Sequence, residues 1–483
     1  MTVTVRRMAV IIAVLFLCLL IQANRIQVTR ADELNSRAGN TRAILDTYGE
    51  QRGSIIVGAT QVARSVDTGD ALLRYERRYS RGPEYAPATG FYSIVYGATG
   101  IEKQENALLS GTDPRLIGSQ LDDLISGGTR EGASVRLTLD AAAQRAAWDG
   151  IRQYNGAVVA IEPSTGRILA IASSPSYDPN PLSSNDPAEN RAAWEKLTAN
   201  PKEPLLNRPL ARTYPPGSVF KVVTAAAALS SGQYTTETEI PAPAVLDLPG
   251  TTADLPNYDG RACFGGQVTL EQALQISCNP AFANVGLPLG DDILREQAEK
   301  FGFNSSFDVP MTAATSVFPP DLNEPQTAQA AIGQYDVRAT ALQMAMVGAG
   351  IANGGLVMNP YLVDEVLAPD LSVLSRGEPT EFGRAVSPEV AQELTDMLVN
   401  VVENGTGKPA QIPGVLVAGK TGTAQTVTGR PPHAWFLSFA PADGADVAVA
   451  VVVENGGNLG SEATGGRLAA PIAKAVMEAV LRR

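Results

Sequence analysis

Three short motifs stand along the chain in one order: Ser218-Val219-Phe220-Lys221, Ser277-Cys278-Asn279 and Lys420-Thr421-Gly422-Thr423. The first constrains the fold most. A serine three residues before a lysine supplies a nucleophile and a possible base one helical turn apart, on one helix face. Tyr214-Pro215-Pro216-Gly217 cannot continue a helix, whereas residues 219–230 are rich in alanine and apolar side chains, so Ser218 is expected at a helix N-terminus. The helix is apolar nearly all round over 222–229, which predicts that it is buried and takes Lys221 in with it. Desolvation lowers a lysine pKa, and an uncharged amine can take the proton from Ser218. The plainer alternative is a capping serine and a lysine that snorkels to solvent.

Singly, the motifs are weak signals. An S-x-x-K match is expected roughly once by chance in a chain of this length, S-x-N is no rarer, and Lys-Thr-Gly appears in about one in twenty such chains. Their order and context carry the argument. Ser277-Cys278-Asn279 follows a helical stretch over 269–276 and precedes Pro280, so it reads as a loop or helix end, where catalytic groups are readily placed. Ser277 can pass a proton towards a leaving amine, and Asn279 can hydrogen-bond a substrate backbone or Lys221. Alone, the same residues would be an ordinary polar turn. The third motif lies in Val415-Leu416-Val417-Ala418-Gly419-Lys420-Thr421-Gly422-Thr423-Ala424, a β-like composition whose glycines allow close backbone approach. Lys420 and Thr421 would anchor a carboxylate, Gly422 and Thr423 would lie along the substrate, and the backbone amides of Ser218 and Thr423 would form an oxyanion hole. A glycine-bent edge strand with a solvated lysine is the competing reading.

The set resembles that of penicillin-binding proteins and serine β-lactamases. The resemblance extends to Val135-Arg136-Leu137-Thr138-Leu139-Asp140, Gly156-Ala157-Val158-Val159-Ala160-Ile161, residues 175–180 and 330–335, and Pro432-His433-Ala434-Trp435-Phe436, all similar to class B penicillin-binding proteins. Arg52-Gly53 and residues 97–106 resemble that family's N-terminal domain, and the nearest likeness is the actinobacterial penicillin-binding protein A type. It implies an α+β penicillin-binding transpeptidase fold, related to serine β-lactamases, with an antiparallel sheet flanked by helices, an N-terminal pedestal domain and a membrane anchor. It also implies that Ser218 attacks the D-alanyl-D-alanine end of a peptidoglycan stem peptide and that an amine on a neighbouring stem resolves the acyl-enzyme. Lys221, Ser277, Asn279 and Lys420 would assist, β-lactams would imitate the donor, and no cofactor is needed. A RodA/FtsW-type glycosyltransferase in the membrane is the implied partner.

Arg6 and Arg7 precede the uncharged residues 8–24, rich in Leu, Ile and Val, and Arg25 closes the run. This predicts a cytoplasmic tail over 1–7, an anchor in the cytoplasmic membrane over 8–24, and an extracytoplasmic remainder. A cleaved signal peptide competes, although Ala23 offers a poor cleavage site. Residues 25–152, more polar and broken by turn signals at Arg81-Gly82-Pro83 and Ser126-Gly127-Gly128, are expected to form the pedestal or dimerisation module, and 153–483 the transpeptidase domain. Within the latter, Pro163-Ser164-Thr165-Gly166 separates two strand-like runs and predicts a hairpin; strands are expected over 434–439 and 447–453, and a helix over 469–481. The 60 residues after Thr423 leave no room for a further module.

Composition excludes other classes. With 483 residues and 44% hydrophobic content the chain can bury two cores, and a net charge of -12 argues against nucleic-acid binding. One histidine, His433, cannot supply a zinc hydrolase, and there is no G-x-S-x-G elbow to partner it in a Ser-His-Asp triad, so it reads as structural and no metal is expected. A secreted β-lactamase is disfavoured by the anchor, the upstream module and the lack of an E-x-x-x-N motif between Asn279 and Lys420. A β-lactam sensor would need more membrane segments, a silent scaffold would not keep three intact motifs, and the roughly 130 residues before the core leave no space for a glycosyltransferase. Cys18 lies in the anchor, which leaves Cys263 and Cys278 as a candidate disulfide in an oxidising compartment, or else as two buried free thiols.

Overall fold

The computed structural model describes residues 3–30, 49–116, 131–257, 260–425 and 429–482. The turn expected at 126–128 lies outside the described residues. Helix α1 (Val3–Asn24) runs into a π turn, Arg25–Thr29. Strands β1 (Ile55–Val57), β2 (Thr60–Asp67), β3 (Tyr75–Tyr79) and β4 (Ser134–Leu137) are followed by α2 (Ala141–Ile151) and by β5 (Gly156–Ile161) and β6 (Ile168–Ser174). A largely helical stretch carries α3 (Lys221–Ser230), α4 (Leu270–Ile276), α5 (Asn279–Lys300) and α6 (Ala341–Ala352). Strands β7 (Val363–Leu367) and β8 (Val373–Arg376), α7 (Pro388–Glu403), β9 (Ala418–Ala424), β10 (His433–Ala440), β11 (Val447–Val453) and α8 (Gly465–Leu481) complete the main elements.

One layer is a five-stranded antiparallel sheet in the order β9-β10-β11-β5-β6. Both of its faces are covered. Along β10, Trp435, Leu437 and Phe439 share a core with α3 and α6 residues such as Val222 and Met344, while Ala434, Phe436 and Ala440 share another with Ala147 of α2 and Val476 of α8. Because successive side chains point to opposite faces, two-sided burial demands apolar residues at every position. Val447-Ala448-Val449-Ala450-Val451-Val452-Val453 meets that demand, each residue being 0% exposed.

The second sheet has the order β8-β7-β4-β1-β2-β3, with β1 and β4 parallel and the other pairs antiparallel. It is braced by a buried cluster in which Arg52 and Arg77 each donate to one oxygen of Glu102, both at 2.6 Å. Gly53 is required beside it, since a Cβ there would lie 1.9 Å from the Ala133 carbonyl oxygen. Packing crosses the position between residues 152 and 153 in both directions. Strands β7 and β8, from the later segment, complete the N-terminal sheet, and α2, from the earlier one, packs on the five-stranded sheet beside α8. One helix among the described residues is long and apolar enough to cross a membrane. It covers Val3–Gln27, and none of its apolar window is buried.

Candidate active site

The site is built from the Ser218 turn upward. Residues Gly217–Phe220 form a 3-10 turn that leads directly into α3, so Ser218 sits in the first turn of a continuous helical segment whose α-helical part begins at Lys221. Pro215 and Pro216 lack the N–H groups a longer helix would use, and Gly217 turns the chain at φ 56°. A Cβ on Gly217 would come within 2.9 Å of the Ala424 Cα, and one on Gly422 within 3.0 Å of the Val219 side chain. The two glycines therefore let the turn lie flat on β9, and Ser218 arrives beside Thr423. The Gly217 N–H donates to the Gly333 carbonyl at 2.8 Å, which ties in the segment 330–335.

Lys221 is wholly buried. Its Nζ donates to the Ser277 carbonyl oxygen at 2.7 Å and to Asn279 Oδ1 at 2.7 Å, with Ser277 Oγ at 3.4 Å. The Ser218 hydroxyl is not among these partners. Ser218 and Lys221 are instead brought together by their shared helical turn. Burial, and then the nearby Lys420 charge, hold the Lys221 pKa well below the ordinary lysine value. Ser277 can present both its carbonyl and its hydroxyl because it ends α4 in the left-handed conformation, φ 65°, an uncommon state for a residue with a Cβ. Asn279 opens α5 with Pro280 behind it, and its Nδ2 donates to the Pro256 carbonyl at 3.3 Å. Between them, Cys278 is bonded to Cys263, with Cα atoms 6.3 Å apart.

Strand β9 ends its sheet, paired to β10 on one side with Lys420 opposite Leu437 and Thr423 opposite Ala434. Lys420 is also wholly buried; its Nζ donates to the Thr421 carbonyl at 3.0 Å, and burial lowers its pKa to about 7. Ser218, Ser277, Asn279 and Thr423 are half-buried, so the two buried lysines lie beneath a partly open row of hydroxyl and amide groups. Thr406 joins them, its hydroxyl 2.6 Å from that of Thr421. Sequence reasoning missed Thr406, whose only local mark is a turn between Gly405 and Gly407 after α7. His433 lies outside the row: its Nδ1 accepts the Asn455 N–H at 3.1 Å, its ring stands edge-on to Tyr214, and burial lowers its pKa to about 4.

A serine in a helical turn, a desolvated lysine one turn on and a lysine-threonine edge strand are the arrangement an acyl-transfer site calls for. The family model for the penicillin binding protein transpeptidase domain matches residues 156–478. The chain belongs to the penicillin-binding transpeptidase family. A second model, the penicillin binding protein A dimerisation domain, matches residues 52–135. Peptidoglycan D,D-transpeptidase PbpA of Mycolicibacterium smegmatis is 46% identical over 492 residues, spanning 100% of this chain and 99% of that protein. Its Mycobacterium tuberculosis namesake is 45% identical over 493 residues, with the same coverage. Among solved structures, the ceftriaxone acyl-enzyme complex of M. tuberculosis penicillin-binding protein A matches with TM-score 0.88 and 45% identity over 90% of this chain and 100% of that one. Its imipenem acyl-enzyme complex matches with TM-score 0.86 and 44% identity over the same shares.

Proposed function

We propose that this chain is a peptidoglycan D,D-transpeptidase that cross-links stem peptides through an acyl group on Ser218. The Ser218 oxygen attacks the penultimate D-alanine carbonyl of a D-alanyl-D-alanine terminus, the terminal D-alanine leaves as the amine, and an amine of a neighbouring stem takes the acyl group. β-Lactams acylate the same oxygen and stay as slowly hydrolysed esters. The observation that carries this reading is the hydrogen bonding of Lys221. A neutral amine has two N–H donors and one lone pair; the Ser277 carbonyl and Asn279 Oδ1, both at 2.7 Å, take the two donors and leave the lone pair for the Ser218 proton. Once protonated, the same nitrogen has a third donor, and Ser277 Oγ at 3.4 Å is placed to pass a proton on to the leaving amine.

The backbone N–H groups of Ser218 and Thr423 would hold the developing oxyanion, and Asn279 the substrate backbone. With the Lys420 pKa at about 7, a bound carboxylate would draw it towards the charged form, so that Lys420 and Thr421 anchor the substrate's terminal carboxylate while the peptide runs along Gly422 and Thr423. Helix α1, 22 residues or about 33 Å long at 1.5 Å per residue, would anchor the chain with Arg6 and Arg7 inside and the two sheets outside. An oxidising compartment suits the Cys263–Cys278 bond. A RodA/FtsW-type glycosyltransferase would meet α1 and the N-terminal sheet that contains β1 to β4. Retention in membranes through a carbonate wash supports the anchor; release of a shortened chain points to signal cleavage.

The test of the reaction uses the full-length protein with a donor ending in D-alanyl-D-alanine and a radiolabelled D-amino acid as acceptor. Exchange of the terminal residue in the wild type, lost in Ser218→Ala, is expected. Exchange that persists in Ser218→Ala would contradict the proposal.

A further inference from the structure

The turn before Ser218 is held by a buried polar knot that the acyl-transfer scheme does not use. The Tyr214 hydroxyl donates to Glu454 Oε1 at 2.8 Å, and Arg208 Nε donates to the same oxygen at 3.0 Å, with Arg212 Nε 4.0 Å away. Arg208, Tyr214 and Glu454 are all buried. Burying a carboxylate is costly without a cation, and Arg208 supplies one; the tyrosine then gains a charge-assisted hydrogen bond, stronger than one to a neutral acceptor.

The knot reaches both halves of the site. Glu454 follows β11 directly, and on β10 the Trp435 Nε1 donates to the Pro215 carbonyl at 3.1 Å while its ring packs edge-on against Tyr214. Trp435 is also the register partner of Gly422, and its neighbour Ala434 that of Thr423. From Tyr214 to Gly217 the chain passes through two prolines of fixed φ, so a displacement of Tyr214 is carried to Ser218 rather than absorbed between them. We infer that Glu454, acting through Tyr214, is a positioning residue that sets the backbone N–H and Oγ of Ser218 against Thr423. This inference rests on the assignment of Ser218 as nucleophile.

The test is penicillin acylation of the full-length protein, resolved into the dissociation constant of the non-covalent complex and the rate constant of the acylation step, with the label located by peptide mass. Tyr214→Phe removes one oxygen and keeps the ring packing. It should leave the dissociation constant unchanged and slow the acylation step about ten- to hundredfold, the scale expected when a reacting group is misplaced by an ångström or less. A lowered melting midpoint with a wild-type acylation rate in the folded fraction would mean a purely structural hydroxyl and overturn the inference. Glu454→Gln keeps an oxygen for the Tyr214 hydroxyl and should acylate faster than Tyr214→Phe. A slower rate than Tyr214→Phe would assign the effect to charge balance around Arg208 and overturn it too. Failure of the nucleophile assignment is separately visible, as a wild-type protein with no acyl group on Ser218.

Discussion

Lys221 Nζ lies 2.7 Å from Asn279 Oδ1, and neither that oxygen nor the other close acceptor, the Ser277 carbonyl, carries a charge. Among the described residues Lys221 forms no ion pair; beyond these acceptors lie the Ser277 hydroxyl oxygen at 3.4 Å and the Phe282 ring 5.6 Å away, neither of them charged. The surroundings favour an amine that is neutral before the reaction and is solvated by two dipoles after it has taken a proton.

The pH dependence of acylation follows from this. The neutral form exists above the folded-state pKa, so the acylation rate should fall as pH drops through that lowered value and reach its plateau below the ordinary lysine value of 10.5. Lys221→Met should cost roughly two to four powers of ten in rate, the usual scale for a general base, and abolish that pH step. A step of unchanged position and size in Lys221→Met would give the titration to another group.

Lys420 should cost stability at neutral pH. Its pKa of about 7 in the folded state lies below the ordinary 10.5, so the unfolded chain holds more protons between those values and stability falls as pH drops through that window, levelling off below about pH 7. Lys420→Met should therefore melt higher than the wild type at pH 7, by a margin that shrinks as pH approaches 10.5. The same variant should bind penicillin poorly. A lower melting point than wild type at pH 7 would contradict the burial argument.

Much of the catalytic sheet is legible in local pattern. The Pro163-Ser164-Thr165-Gly166 turn stands between two apolar runs that pair as β5 and β6, with Gly156 opposite Ser174, and 447–453 is apolar at every position because both faces are covered. The motif spacing likewise marks Lys221, Ser277 and Asn279, which meet within hydrogen-bonding distance. Contacts that depend on docking are not legible. Val366 of β7 lies opposite Val135 of β4, a pairing between distant segments that neither one's periodicity encodes. Thr406 reads as a turn residue until α7 is packed against β9, and Glu454 reads as a solvated carboxylate until Arg208 and Tyr214 close on it.

The left-handed conformation of Ser277 separates two substitutions. Ser277→Ala keeps the strain and loses the hydroxyl, whereas Ser277→Gly loses the hydroxyl and relieves the strain, so the glycine variant should be more stable by about 1 kcal/mol. Both should acylate more slowly than wild type. Urea unfolding of the two variants measures the difference, and an alanine variant as stable as the glycine one would argue against the positive φ.

Loss of the Cys263–Cys278 bond should act on stability and on rate. The sequence separation of 15 residues corresponds to about 3 kcal/mol in the chain-entropy model, and Cys278 lies between Ser277 and Asn279. The Cys263→Ala/Cys278→Ala double variant should unfold at lower denaturant and be acylated more slowly at equal folded fraction. Two alkylatable thiols in the native, air-oxidised protein would remove the bond from the account.

Whether Ser218 carries the acyl group is measured by intact-mass analysis of the full-length protein after penicillin exposure, followed by peptide mapping. One added acyl group, located on Ser218, is expected in the wild type and none in Ser218→Ala. A label on any other residue, or one retained in Ser218→Ala, would contradict it.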